Sequence, residues 1–513
     1  MIGLQDSSLV IRRRWICRLA AFCAMLAAGM AFRSDYLTDW DSWDYAAQAL
    51  CRHSSDLLLG RWWFVAAMRA AWLAGQWAFG LDRLEGYLAM QAAASLIMAG
   101  AVVAGMAWTY RLTRSAAAEL LFATLVVTGL MVGIYASAVM TEGATLLTVT
   151  LAFLAWEAAV GAKRRPALWA LAGGLSFGVA VDIREPAVLL AAWPIVSCLV
   201  DRPPRRWMLL GLAAIGAAAT LGAGVLGAWA WFPWTDRTYF QNIIQWTGWM
   251  SAERSQFGAP ILENLRFLAA YSFAACPAAL LMALPALAWA GMRRRRLLWL
   301  AASLAPYAAS LALNHDLSVN PRFVIPLVWL LSPMIVAGLD AALVAARRPA
   351  RLRLAGAAVL GAGINLLALG WGWQMLNDYY LDYTESQGRT YQAMRRLPAD
   401  AVVIPGPGTG VARYLDRIGQ TRFIVIGSGW DWPGDKLKPL IDRYLAEGKR
   451  VYANLDERDW LNTARKSPEW DQLRSLARNY ALAAAQRPMI ELRQAEPRKK
   501  ERPHSRPASN PLP

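Results

Sequence analysis

Charged residues are scarce in this chain: Asp, Glu, Lys and Arg together make up 17% of its 513 residues. Hydrophobic residues make up 57% of the chain. An ordinary soluble protein of this length carries more charge on its surface, so the composition excludes that class. It predicts an integral membrane protein with several spanning helices.

Cysteine is also rare, and the spacing of the five residues fits neither a disulfide framework nor a zinc site. The glycine-rich stretch "GPGTG" at 406–410 lacks the spacing of a nucleotide-binding loop and is typical of a tight turn. No cleavable signal peptide is expected, because Arg18 and the long apolar run after it favour a retained first spanning helix.

The net charge of +17 is the one feature that could indicate nucleic-acid binding. The basic residues, however, stand in short clusters between apolar runs, which is the pattern of cytoplasmic loops in membrane proteins. These clusters lie at 12–14, 111–114, 163–165, 202–206, 293–296 and 347–353. We therefore expect membrane lipid, and no nucleic acid, as a partner.

The topology follows because the chain must cross the membrane an even number of times between consecutive cytoplasmic clusters. The apolar runs then predict about eleven spanning helices in residues 1–373. The N-terminus is expected in the cytoplasm of a multi-pass inner-membrane protein. The stretch 61–80, rich in Trp, is predicted to be a juxtamembrane helix on the outer surface, within a first outer loop at 33–86.

The residues after 373 have a different pattern. Three short strand-like segments alternate with two helical segments, which predicts a small periplasmic α/β domain with a parallel sheet at 374–484. Residues 485–513 are polar, basic and rich in proline, and are expected to form a disordered tail.

An acidic stretch, "DYLTDWDSWDYAAQAL" at 35–50, follows the first apolar run. If a helix begins near Asp41, then Asp41, Asp44, Tyr45 and Gln48 fall on one face. A purely structural alternative is open, in which Asp39 or Asp41 caps the helix and the following acids interact favourably with its dipole.

Further ionisable residues recur at the predicted outer ends of helices: Glu142, Asp182, Arg184, Glu185 and Arg322. Charged groups at this depth are costly unless they have partners or a function. Together they are expected to line one outward-facing cavity.

The order of these features resembles the GT-C glycosyltransferase superfamily, which includes protein O-mannosyltransferases, aminoarabinose transferases and oligosaccharyltransferases. The likeness covers about residues 10–345. The acidic pattern D-E/S-x-x-Y-A falls on Asp41, Ser42, Tyr45 and Ala46, an acid follows in the next outer hairpin, and "RFVIP" begins a late helix. Many relatives continue with His-Pro-Pro or Pro-Pro, whereas this chain has His53 without a proline.

This resemblance implies a polytopic α-helical GT-C fold acting on polyprenyl-phosphate sugars outside the cytoplasm. It implies that Asp41 is the catalytic aspartate, that Glu142 is the second acid, and that Arg184 and Arg322 face the lipid phosphate. Asp44 is a further candidate catalytic carboxylate. Tyr45 and His53 are candidate substrate-binding residues.

The chemistry of the residues independently fits glycosyl transfer, since a carboxylate can take the acceptor proton and cations can stabilise the departing phosphate. Asp39 and Asp41 form a D-x-D pair, which with Glu142 could hold Mg²⁺ or Mn²⁺. We therefore predict an inverting transferase that moves a sugar from a polyprenyl-phosphate donor to a glycan, lipid or protein acceptor. The alternatives are a transporter or flippase of lipid-linked sugars, and a non-catalytic scaffold.

Overall fold

The computed structural model divides the chain into two compact units, Met1–Leu381 and Asp382–Pro513. The division falls a few residues after the predicted boundary at 373. The residues that the structure describes are 2–37, 40–52, 61–161, 164–232, 261–293, 295–314, 317, 321–345, 350–376, 382–406, 408–419, 422–427, 432–460 and 468–494.

The first unit is built from helices. They are α1 (Ile2–Ala31), α2 (Trp40–Cys51), α3 (Trp62–Phe79), α4 (Gly86–Thr113), α5 (Ala116–Val127), α6 (Leu130–Ala136), α7 (Thr141–Gly161), α8 (Pro166–Ile183), α9 (Ala192–Asp201), α10 (Arg206–Trp231), α11 (Ile261–Ala275), α12 (Pro277–Arg293), α13 (Arg295–Ala302), α14 (Ala305–Asn314), α15 (Ile325–Ala345), α16 (Ala350–Leu367) and α17 (Leu369–Leu376). Two 3₁₀ segments, Glu185–Ala191 and Pro321–Val324, precede α9 and α15.

Within the described residues, seven helical segments are long and apolar enough to cross a membrane, or nine if two bent pairs each count as one span. The pairs are α5 with α6, bent by 72°, and α11 with α12, bent by 106°. The second bend precedes Pro277, which disfavours a helical residue before it. The protein is therefore a multi-pass membrane protein.

The count differs from the predicted eleven at two places. The predicted span at 186–200 consists of a 3₁₀ segment followed by the short helix α9. The predicted span at 354–373 falls on α16 and α17, of which only the portion Leu352–Leu367 is a continuous apolar helix. The continuous helix at each place, α9 and Leu352–Leu367, is shorter than the roughly 20 residues that a straight crossing needs.

Two helices fill the first outer loop. Helix α2 begins at Trp40, next to the predicted start, and Ser42 through Leu50 are buried. Helix α3 occupies the stretch that was predicted as a juxtamembrane helix, and it packs against α2 and α4. Helix α2 and one face of α3 thus belong to the packed core of this unit.

Helices α8 and α10 pack closely through glycine. A methyl group added at Gly174 would lie 2.0 Å from the carbonyl oxygen of Ala213, and one at Gly178 would lie 2.3 Å from that of Ala217. Small residues four positions apart let two membrane helices approach in this way. The contact fixes the end of α8, from which Asp182 and Arg184 extend.

Arginines from several predicted cytoplasmic clusters meet near the C-terminal end of α7, away from Glu142 in its first turn. Arg111, Arg114 and Arg296 lie with Glu157 and Asp201 around a cavity of about 260 Å³. Arg296 bonds to Glu157 Oε2 at 2.7 Å and to Asp201 Oδ1 at 2.6 Å. Glu157 lies 15 residues after Glu142 on α7, and at 1.5 Å per residue the two acids are about 22 Å apart.

The second unit contains a five-stranded sheet with flanking helices. Its elements are α18 (Asp382–Met394), β1 (Val402–Ile404), α19 (Thr409–Arg417), β2 (Ile424–Val425), α20 (Leu437–Ala446), β3 (Val451–Asn454), α21 (Glu457–Trp460), α22 (Pro468–Ala477), β4 (Tyr480–Gln486) and β5 (Met489–Gln494). The strand order is β2-β1-β3-β5-β4. The three predicted strands correspond to β1, β2 and β3.

The predicted parallel sheet and the predicted tail were both wrong in part. Strands β2, β1 and β3 are parallel, but β5 pairs antiparallel with both β3 and β4. Strand β5 lies inside the segment 485–513 that was expected to be disordered. Its sequence, MIELRQ, is half apolar; Met489 and Leu492 are buried, and Leu492 belongs to the core of this unit. Residues 495–513 lie outside the described part of the chain.

We predict that Leu492→Ala destabilises the second unit by about 2–5 kcal/mol, because it removes a buried side chain from the core. Arg493→Ala is the matched control, since that neighbouring side chain is 61% exposed, and we expect a change within about 0.5 kcal/mol. Urea titration of the full-length protein in detergent, read by protease cleavage in this unit, measures both. Equal stability of the two variants would contradict the assignment of β5 to the core.

Candidate active site

The site begins with an ion pair between the first outer loop and a late helix. Asp41 lies in the first turn of α2. Its Oδ2 accepts a hydrogen bond from Arg322 Nη2 at 2.7 Å. Arg322 lies in the 3₁₀ segment that leads into α15, so the contact joins residues 281 positions apart.

A second acid continues this contact. Glu142 lies in the first turn of α7, and its Oε1 accepts a hydrogen bond from Arg184 Nη1 at 2.8 Å. The same oxygen lies 3.5 Å from Arg322 Nε. The result is an ion-pair chain that runs Asp41, Arg322, Glu142, Arg184. The structure thus brings together four of the residues that the sequence singled out, while their roles stay predictions.

Burial differs along the ion-pair chain. The side chains of Glu142, Arg184 and Arg322 are 1%, 5% and 8% exposed, whereas that of Asp41 is 21% exposed. Buried charges are costly unless they are paired, and here each buried charge has an opposite charge beside it. Asp41 is the member of the chain that is most open to an incoming molecule.

An aromatic ring joins the two arginines. The guanidinium carbon of Arg184 lies 4.5 Å from the ring centroid of Phe323, and that of Arg322 lies 5.4 Å from it. A ring face attracts cations at these distances. Sequence analysis did not name Phe323 as a site residue, although its place directly after Arg322 in "RFVIP" was a usable signal.

A second group of polar contacts lies beside the chain. Arg61 donates a hydrogen bond to the hydroxyl of Tyr45 and lies 3.4 Å from Glu185. Burial raises the pKa of Tyr45, Arg61 lowers it and Asp41 raises it, so the phenol stays protonated at neutral pH. Arg61 was predicted only as part of a surface helix.

The start of α3 is held by an acid from α8. Asp182 Oδ2 accepts a hydrogen bond from the backbone N–H of Trp63 at 3.0 Å. A carboxylate is favourable at this end of a helix because unpaired N–H groups and the positive end of the dipole point at it. The contact ties the first outer loop to the segment that carries Arg184.

This geometry can be compared with that of known proteins. No protein-family model and no curated protein matches the sequence. Among solved structures, ArnT from Cupriavidus metallidurans, bound to undecaprenyl phosphate, superposes with a TM-score of 0.56 at 12% identity, over 93% of this chain and 97% of that one. The oligosaccharyltransferase of Archaeoglobus fulgidus, in complex with zinc and sulfate, gives a TM-score of 0.52 at 12% identity, over 90% and 71%.

A further structure of the archaeal enzyme, named AglB and complexed with an inhibitory peptide and a dolichol-phosphate, gives a TM-score of 0.50 at 12% identity, over 91% and 72%. The chain has the GT-C fold. The predicted resemblance is thereby confirmed for the fold. At 12% identity, the likeness shows the fold alone.

Within this GT-C fold, the remaining predicted site residues are not members of the ion-pair chain. Asp44 is buried on α2, and its Oδ2 accepts a hydrogen bond from Gln48 one turn later at 2.6 Å. Tyr45 is held by Arg61. Asp39 and His53 lie outside the described residues, so their predicted roles have no structural counterpart here.

The predicted metal ligands do not form a cation site in the described part of the chain. Asp41 and Glu142 each accept a hydrogen bond from a guanidinium, and a dication between them would be repelled by both arginines. No three His, Cys, Asp or Glu side chains are grouped for metal binding among the residues with described positions. The described side chains of this site therefore do not fit Mg²⁺ or Mn²⁺.

We predict that Glu142→Gln destabilises the protein by about 3 kcal/mol, because it leaves two buried arginines without their shared carboxylate. Glu185→Gln is the matched control in the same region: that acid is 30% exposed and its contact with Arg61 is longer, so we expect a cost below about 1 kcal/mol. Denaturant titration in mixed micelles compares the two variants. A larger cost for Glu185→Gln would argue against the ion-pair chain as the centre of the site.

Proposed function

We propose that this protein is an inverting membrane glycosyltransferase that moves a sugar from a polyprenyl-phosphate donor to a hydroxyl of a glycan, lipid or protein acceptor. The observation that carries the proposal is the ion-pair chain of Asp41, Arg322, Glu142 and Arg184. It combines an accessible carboxylate with two cations in a GT-C fold. The similar structures include ArnT with undecaprenyl phosphate and AglB with a dolichol-phosphate.

The periplasmic side of the cytoplasmic membrane is the proposed location of the site. The arginines near Glu157, at the far end of α7, come from clusters that the positive-inside rule assigns to the cytoplasm. Glu142 lies at the other end of the same helix. A donor embedded in the outer leaflet would reach the arginines from that end.

Donor binding is proposed to use the two arginines. Guanidinium groups bind phosphate through paired N–H donors, and they hold their charge at any physiological pH. A phosphate at Arg322 competes with Asp41 for the same N–H donors and releases the Asp41 carboxylate. Glu142, which is almost completely buried, orients both arginines and keeps their charges compensated.

The proposed reaction is a direct displacement. The acceptor hydroxyl donates its proton to Asp41 as its oxygen forms a bond to the anomeric carbon of the sugar. The bond from that carbon to the phosphate oxygen breaks, and its electron pair leaves with the polyprenyl phosphate. Arg184 and Arg322 stabilise the charge that develops on this leaving group, and attack from the opposite face inverts the anomeric configuration.

We predict that Asp41→Asn lowers the rate of sugar transfer by at least about 100-fold, because the amide cannot accept the proton. Asp35→Asn is the control: it is an exposed acid of the same loop with no role in the proposed reaction, and its activity should match the wild type. Purified protein is assayed with a panel of polyprenyl-phosphate sugars, and donor consumption and transfer are followed by mass spectrometry.

Equal turnover by Asp41→Asn and the wild type would remove Asp41 as the base. Consumption of none of the donors by folded wild-type protein would count against the enzyme and favour transport or scaffolding.

We also predict that transfer continues in excess EDTA at the rate measured with added Mg²⁺ or Mn²⁺, because Asp41 and Glu142 are compensated by arginine. The same assay measures this, with donor and enzyme stripped of metal beforehand. Loss of activity in EDTA that Mn²⁺ restores would contradict the expectation and would indicate that Asp39 completes a metal site.

A further inference from the structure

A tyrosine that is buried beside the ion-pair chain has no place in the reaction described above. Tyr307 lies in the first turn of α14 and is 1% exposed. Its hydroxyl has no hydrogen-bond partner among the described residues. Buried hydroxyl groups are almost always hydrogen-bonded, so one left unpaired calls for an explanation.

The position of Tyr307 relates it to the site. Helix α14 packs against the 3₁₀ segment Glu185–Ala191, which directly follows Arg184. Tyr307 is close enough to Arg184 and Glu142 for their charges to act on its hydroxyl. Tyr307 is therefore a buried neighbour of the Glu142 and Arg184 end of the ion-pair chain, whereas Asp41 is the most exposed member of the chain.

A second unpaired polar atom lies in the same region. Glu142 uses Oε1 for its contacts with both arginines. Its other oxygen, Oε2, is buried and accepts no hydrogen bond from any described residue. Among the described residues, the phenol of Tyr307 is thus an unused donor and the carboxylate oxygen Oε2 of Glu142 an unused acceptor.

The chemistry of these two atoms selects the group that would satisfy them. A phosphate oxygen only accepts hydrogen bonds, so it could pair with Tyr307 but not with Glu142 Oε2. A hydroxyl both donates and accepts, so it has the chemistry to satisfy either atom. The acceptor is expected on the side of Asp41, the more exposed member of the chain, which leaves the donor as the source of a hydroxyl in the interior.

We propose that Tyr307 and Glu142 Oε2 form a subsite for a hydroxyl of the donor sugar, separate from the arginines that hold the phosphate. The subsite rests on the proposed function, because it presumes a sugar linked to a lipid phosphate. Tyr307 would then be a specificity residue: it would favour a sugar that carries this hydroxyl over an analogue that lacks it. A purely apolar pocket wall discriminates poorly between two such sugars.

The test compares Tyr307→Phe with the wild type in full-length purified protein. Two probes are used at pH 8, where a phosphate monoester carries few protons: undecaprenyl phosphate, and a panel of undecaprenyl-phosphate hexoses and pentoses. The apparent Kd of each probe is measured from its effect on the unfolding temperature. Tyr110→Phe is the matched control, because Tyr110 lies beside Arg14 and next to Arg111, at the opposite end of the helices.

We expect Tyr307→Phe without ligand to be at least as stable as the wild type, since it loses an unpaired buried hydroxyl. It should bind undecaprenyl phosphate as the wild type does. The sugar-bearing lipid that the wild type binds best should bind this variant about tenfold more weakly, the loss of one buried hydrogen bond. Tyr110→Phe should bind both probes normally.

The outcomes separate the two proposals. Equal affinity of Tyr307→Phe and the wild type for the best sugar-bearing lipid would overturn the subsite and leave the transferase proposal intact. The subsite would also be overturned if Tyr307→Phe bound undecaprenyl phosphate without a sugar as weakly, relative to the wild type, as it bound the sugar-bearing lipid. The phenol would then act on the phosphate. Failure of every lipid phosphate to bind the wild type would overturn the proposed function, and the subsite with it.

Discussion

Compensation of buried charge is the constraint on which this structure depends. Arg322, Glu142 and Arg184 lie where little water reaches them, and an isolated charge there would cost several kcal/mol, on the order of a large part of the stability of the fold. The ion-pair chain meets this cost by alternating sign along its length. The helix ends that supply these side chains, in α2, α7, α8 and the 3₁₀ segment before α15, must therefore meet at one place.

The same arrangement is suited to binding a lipid-linked anion. A compensated site is stable while it is empty, and an incoming phosphate can take over the role of Asp41 at Arg322 without leaving an unpaired cation. The ring of Phe323 lies beside both guanidinium groups, so the two arginines share one support. The first outer loop takes part as well, because Arg61 and Trp63 tie it to the acids around Arg184. The proposed binding and chemistry thus use contacts that also hold the fold together.

The sequence predicted much of this site because charged residues in an apolar chain are conspicuous, and counting the crossings put Asp41 and Glu142 on one side of the membrane. It did not predict Arg61, because its contacts with residues 16 and 124 positions away depend on how the outer loop packs. Tyr307 gave no signal either, since a tyrosine in an apolar run is ordinary until its burial is known. Strand β5 was missed because its six residues, MIELRQ, run directly into a polar, basic and proline-rich segment, and the composition of the whole stretch 485–513 concealed the buried Leu492.

Helix α7 carries a glutamate near each end, and each binds arginines from other elements, Glu142 with Arg184 and Glu157 with Arg296. A helix turns about 100° per residue, so the angle between the two carboxylates is set by the number of residues between them. One inserted or deleted residue would turn one acid away from its arginine whatever side chain was added. The length of this helix is therefore as constrained as its composition, and related chains should vary in its middle by substitution and not by insertion.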